Sequence, residues 1–213
     1  MYKVILLYLA LWGVSVAAQS QNASSMLIMM PDDLIPQLTV NNRKDMIDFA
    51  KLDRQDNVRN RFGGNSRITS LSDNFLEVSL SEQSIMQLKI LPYKDTIIIG
   101  IINTVAAPAY DSRINFYTTN WEDMELSSIW NVPDIDDFAY TEQRKSKNYK
   151  EAISLLDTWL MKFSFEKDRN EIVAEHSIKD YLPEEILSQI KPYLSDTPVR
   201  YKWTGKKFKK TEQ

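Results

Sequence analysis

The 213-residue sequence has no cysteine, a single histidine and only five glycines. Without cysteine there is no disulfide framework, no thiol nucleophile, no cysteine-ligated zinc or iron–sulfur cluster and no lipidated cysteine anchor. Charge of one sign is missing as well: 26 Lys and Arg face 29 Asp and Glu, for a formal charge of −3. Such a balanced surface lacks the field that concentrates nucleic acid, and no nucleic-acid partner is expected. The lone histidine, His176, would have to serve any Ser-His-Asp or metal facial triad, yet neither Gly-x-Ser-x-Gly nor His-Glu-x-x-His occurs. It reads as an ordinary strand-end residue. With 43% apolar and 26% charged residues, the chain is neither disordered nor collagen-like. It is long enough to bury about 70% of its unfolded surface.

The first 18 residues have the layout of a secretory leader, with Lys3 before an apolar stretch from Val4 to Val16 and small residues at Val16-Ala17-Ala18. The stretch is about 15 residues, short of the roughly 20 that span a bilayer, so cleavage before Gln19 is expected rather than anchoring. No later segment is apolar enough to cross. The expectation is an exported protein of the periplasm or cell surface, with a flexible polar linker at 19–25 and a single domain from 26 to 213. A division into two lobes would fall near 121–147.

Pro31-Asp32-Asp33 reads as a helix start and Asn42 as a second N-cap, giving a helical pair at roughly 31–52. Asp53 to Ser66, with Gly63-Gly64, reads as loop. The period then changes to 2. Leu76, Val78 and Leu80, then Met86, Leu88 and Ile90, then Ile114 and Phe116 alternate with polar residues, which predicts half-exposed antiparallel strands. Thr96 to Ile102 is apolar at nearly every position and predicts a central strand covered on both faces. Trp121 to Lys147 reads as a loop pinned by Trp121, Trp130 and Phe138. A short helix around Tyr149, a hairpin from Trp159 to His176, a helix opened by Pro183, and strands at 199–203 and after Gly205 complete the pattern. The fold class is α+β: a mostly antiparallel meander with helices packed on one face. The hairpins opening at Phe75 and Trp159 are compatible with two similar sheet-forming units or with one sheet extended by both.

The phrases Met30-Pro31-Asp32-Asp33-Leu34-Ile35-Pro36-Gln37-Leu38, Asn42 to Phe49, Asp111 to Tyr117 with Trp121, Tyr201-Lys202-Trp203 and Gly205-Lys206-Lys207-Phe208 resemble the DUF3256 family. These are exported Bacteroidales proteins of unknown function. The resemblance implies a Gram-negative source and an envelope address. It carries no activity and no site residues.

Aromatic residues offer the best functional lead. Tyr110, Tyr117, Trp121, Trp130, Tyr201 and Trp203 can stack on sugar rings or meet a protein partner, against the plainer reading that they fill the core. Asp134, Asp136 and Asp137 form a weak calcium candidate, because the sixth position of an EF-hand loop counted from Asp134 is Ala139 rather than Gly. The basic tail Lys202, Lys206, Lys207, Lys209 and Lys210 suits an anionic glycan or headgroup, or keeps an edge strand from pairing. No cofactor is expected. The leading expectation is a non-catalytic binding or assembly protein of the envelope that contacts a glycan, peptide or envelope protein. The alternatives are a carboxylate-dependent hydrolase of cell-wall or dietary polymer and a strand-exchanging structural subunit.

Overall fold

The structure, a computed structural model, describes residues 21–211. The expected leader and the first residues of the expected linker lie outside that range. Asn22 opens helix α1 (Ala23–Met29) with a capping box to Ser25, whose hydroxyl closes it on the Asn22 backbone. Ala23, Met26, Leu27 and Met30 recur at i, i+3, i+4 and i+7 and are fully buried. The stretch expected as flexible linker therefore ends in a packed helix, and its polar residues are the cap. Pro31 follows the helix rather than starting one, since Met30 is extended and a proline there cannot continue α1. Residues 32–34 form a turn. Helix α2 (Val40–Lys51) begins at the N-cap Thr39, and Asn42, expected as the cap, is its reciprocal partner three residues on.

A seven-stranded meander follows in strict sequence order: β1 (Val58–Arg59), β2 (Asn65–Leu71), β3 (Phe75–Ser81), β4 (Ser84–Tyr93), β5 (Thr96–Ala106), β6 (Tyr110–Tyr117) and β7 (Asp123–Met124). Every pairing is antiparallel. Strand β5 separates two cores. Ile99 and Ile101 face α1 and α2, whereas Ile98 and Ile102 face a second sheet, so the expected two-sided cover is present.

Residues 125–160 carry the short helices α3 (Leu126–Ile129) and α4 (Lys147–Ile153) and link the first sheet to the second. The second sheet contains β8 (Met161–Phe165), β9 (Glu171–His176), β10 (Val199–Trp203) and β11 (Phe208–Lys210), ordered β11-β10-β9-β8, with α5 (Glu184–Ile190) between β9 and β10. The two strand-rich regions thus form two sheets, not one. Strand β8 crosses the first sheet and, among the described residues, has no backbone neighbour beyond β9. Its outward amides are met by side chains instead: Phe163 N donates to Ser112 Oγ at 3.0 Å and Phe165 N to Gln87 Oε1 at 2.8 Å. At the crossing, the Phe165 ring lies over Gly100, where a Cβ would stand 2.6 Å from it.

This crossing corrects the expectation for β4, whose Gln87 and Lys89 were to face water. Both are buried. Gln87 bridges Phe165 N and Glu77, and the Lys89 ammonium donates to the carbonyls of Glu166 and Lys167 in the β8–β9 turn at 3.1 and 2.7 Å. The alternation was real, but its polar half fastens the second sheet. No described helix is long and apolar enough to cross a membrane.

Candidate functional site

The 130–144 segment is pinned beside the second sheet by rings. Trp130, 1% exposed, stands edge-on between Phe163 and Tyr201, with centroids 5.0 and 5.3 Å away. Phe138 packs edge-on to Trp159 and His176. Backbone bonds from Tyr140 N to Tyr193 O and from Ser195 N to Phe138 O extend the attachment. Between these anchors Asp134 caps a single 3-10 turn (Ile135–Asp137) by accepting from Asp136 N. Arg144 Nε and Nη2 both donate to Ala139 O at 3.2 Å.

The segment does not close onto β11, and a divided cleft is left between them. One half, about 460 Å³, is lined by Trp130, Val132, Asp134, Tyr201, Lys207 and Phe208 among others. The other, about 440 Å³, includes Tyr140, Thr141, Arg144, Ser195, Thr197 and Thr211. Asp137 and Lys210 belong to both halves. Lys210 Nζ donates to Asp137 Oδ1 at 2.8 Å and to its carbonyl at 3.1 Å, so this ion pair is the partition. Tyr140 and Val132 stand exposed in the two halves.

Two donors in the cleft walls lack partners among the described residues, the indole N–H of Trp130 and the hydroxyl of Tyr201. Burying a polar group unpaired is costly, and both atoms lie buried beneath the cleft surface. Burial holds the Tyr201 hydroxyl well above the ordinary phenol range, and the Asp137 and Asp134 carboxylates push the same way. It is therefore a neutral donor at any physiological pH. The Tyr149 phenol is raised in the same direction by burial first and then by its hydrogen bond to Asp136.

The six aromatic candidates do not converge. Trp130 and Tyr201 meet at the cleft, but both are buried, packed against each other and, for Trp130, against Phe163. Trp203 is buried next to Phe208 and donates its indole N–H to Pro92 O at 2.6 Å. Tyr117 and Trp121 pair on the opposite side, near α1 and α2. Tyr110 alone is well exposed, with the Lys162 ammonium 4.9 Å from its ring centre. Packing two sheets needs large flat side chains, and that demand takes most of them. The three aspartates of the calcium candidate are spent on a helix cap, on Tyr149 and on Lys210. No group of three metal-ligating side chains is placed to hold an ion among the described residues. Tyr140, Val132 and Arg144 were not among the candidates; nothing local marks them, because their exposure depends on where the segment is pinned.

A ring-pinned loop over an antiparallel sheet places the molecule in the class of layered α+β domains with a surface cleft. The chain belongs to the DUF3256 family, proteins of unknown function, whose model matches residues 15–208. It is similar in structure to a domain of an uncharacterised protein from Porphyromonas gingivalis W83, with a TM-score of 0.78 and 24% identity, covering 89% of this chain and 98% of that one. At that identity the likeness shows the fold. No protein of curated function matches the sequence.

Proposed function

We propose that the protein is an exported, non-catalytic binding or assembly module of the cell envelope and that the cleft astride the Lys210–Asp137 pair is its contact surface. The observation that carries this reading is the open cleft itself, about 460 Å³ beside β11, with Trp130 and Tyr201 buried in its wall. The basic rim adds to it. Lys202, Lys206, Lys207 and Lys209 have no ion pair among the described residues, whereas Lys210 has one. Hydrolysis by paired carboxylates is less well supported, because Asp137 is tied to Lys210 and Asp134 to a backbone amide. The leader-like residues 1–18 support export.

The test has two parts. N-terminal sequencing of protein recovered outside the cytoplasm should begin at Gln19, and a chain still starting at Met1 would refute cleavage. Protein beginning at Gln19 should be retained by either the polysaccharide or the protein fraction of Bacteroidales envelopes, and a Lys207→Glu, Lys209→Glu variant should not. Retention by neither fraction, or retention unchanged by the charge reversal, would refute the cleft reading.

A further inference from the structure

Strand β11 ends its sheet, and its pairing fixes which backbone groups face outward. Thr204 N donates to Lys207 O and Thr211 N to Arg200 O, so 204/207, 202/209 and 200/211 are the hydrogen-bonded pairs of the β10–β11 hairpin. Phe208 and Lys210 alternate with these. Their N–H and C=O groups therefore point away from β10, along the cleft that both residues line. No described residue takes them up.

A row of open strand groups is a template for another strand. The charges beside it decide which one. Period 2 places Lys207 and Lys209 on the outer face with Lys202, directly opposite Lys209. Phe208 and Lys210 share the other face, from which the half-exposed Lys210 reaches the Asp137 carboxylate. Pairing of β11 with β11 of a second copy would bring the lysines of both chains together, which like-charge repulsion opposes. A strand bearing carboxylates meets the same lysines favourably.

Resting on the binding reading above, we propose that the exposed edge of β11 accepts an acidic peptide in extended conformation as a fifth strand of the second sheet. Its backbone pairs with Phe208 and Lys210, and its outward carboxylates meet Lys207 and Lys209. The cleft half beside β11, about 460 Å³, lies within the size range of peptide and ligand sites.

The experiment titrates the folded protein with a peptide alternating Glu and Val, with its Lys–Val counterpart, and with an N-methylated Glu–Val peptide that keeps the charge but cannot pair as a strand. Readouts are affinity and amide hydrogen exchange by NMR. The Glu–Val peptide should bind, weaken with added salt, and slow exchange at Phe208 and Lys210; Lys207→Glu, Lys209→Glu should weaken it by about tenfold or more. The N-methylated and Lys–Val peptides should not bind. Equal binding of the N-methylated peptide, or binding without protection of those two amides, would overturn strand addition. An anionic oligosaccharide that perturbs the cleft while no peptide binds would overturn this proposal but leave the binding reading standing. Concentration-dependent dimerisation that protects β11 in the absence of peptide would assign the edge to a second copy and overturn it too.

Discussion

The two faces of the seven-stranded sheet are covered by different chemistry. The side under α1 and α2 is aliphatic, built from Met26, Leu27, Ile47, Leu76, Met86 and Ile99, with Tyr117 as its one buried ring among the described residues. The side under the second sheet is rich in rings, including Phe116, Trp130, Phe163, Phe165 and Tyr201. Helices offer branched side chains that interdigitate with a pleated surface, whereas two crossing sheets and a pinned loop leave wide flat gaps that rings fill. The ring-filled side also carries the unpartnered polar atoms of Trp130, Trp159, His176 and Tyr201, against Trp121 Nε1 on the helical side. Tryptophan, tyrosine and histidine bring polar tips with their area, so a side packed with them has more polar atoms to satisfy.

Each side is fastened by one buried cation that donates to backbone carbonyls. On the helical side Arg43, 0% exposed, donates to Leu27 O and Met30 O at the end of α1 and pairs with Asp32. On the other, Lys89, also 0% exposed, holds the β8–β9 turn without a carboxylate in contact. Burial pushes both groups toward the neutral form, opposed by Asp32 for Arg43 and by Asp168 and Glu166 for Lys89.

The comparison can be broken or sharpened by substitution. Arg43→Met removes the guanidinium and strands several carbonyls, and should cost about 3–5 kcal/mol in denaturant unfolding. Lys89→Met should cost about 2–3 kcal/mol, less because the turn carbonyls lie nearer water. Hydrogen exchange should rise first in α1 and α2 for the former and in β8 and β9 for the latter; identical exchange patterns would show that the two sides open together. Gly100→Ala should cost about 1–3 kcal/mol, because its Cβ would meet rigid rings of Phe165 and Phe116.

His176 tests the ring-filled side by pH. Burial lowers its pKa below the ordinary 6.5, against the raising effect of Ser195 O and Asp196. The unfolded chain then binds the proton more readily, so this contribution to stability is present above pH 6.5 and is lost as pH falls below it. The thermal midpoint should drop over that range, and His176→Gln should flatten the drop. Lys210→Ala breaks a half-exposed pair and should change stability by less than about 1 kcal/mol while joining the two halves of the cleft. A larger loss would mean that the partition is structural.

Much of this was legible along the chain. The alternation at 76–80, 86–90 and 114–116, the apolar 97–102 and the patterns at 171–176 and 199–203 mark strands that the structure contains. The misreadings were local ambiguities. Pro31 serves a helix start or a helix end equally well, and Asn22 to Ser25 looks like linker until the buried stripe through Met30 is counted. Of the cleft, only Trp130, Tyr201 and the flanking charges were visible, and as unconnected aromatics and ions.

Period and composition by themselves determined the strands, the doubly covered β5 and the absence of cysteine chemistry, because burial on one or both sides of a strand is written in every second residue. Only the tertiary structure decided that Gln87 and Lys89 point inward, that most of the rings are core, and that β11 keeps an open edge. Those outcomes depend on which surfaces meet, and residues distant in sequence carry no local mark of meeting.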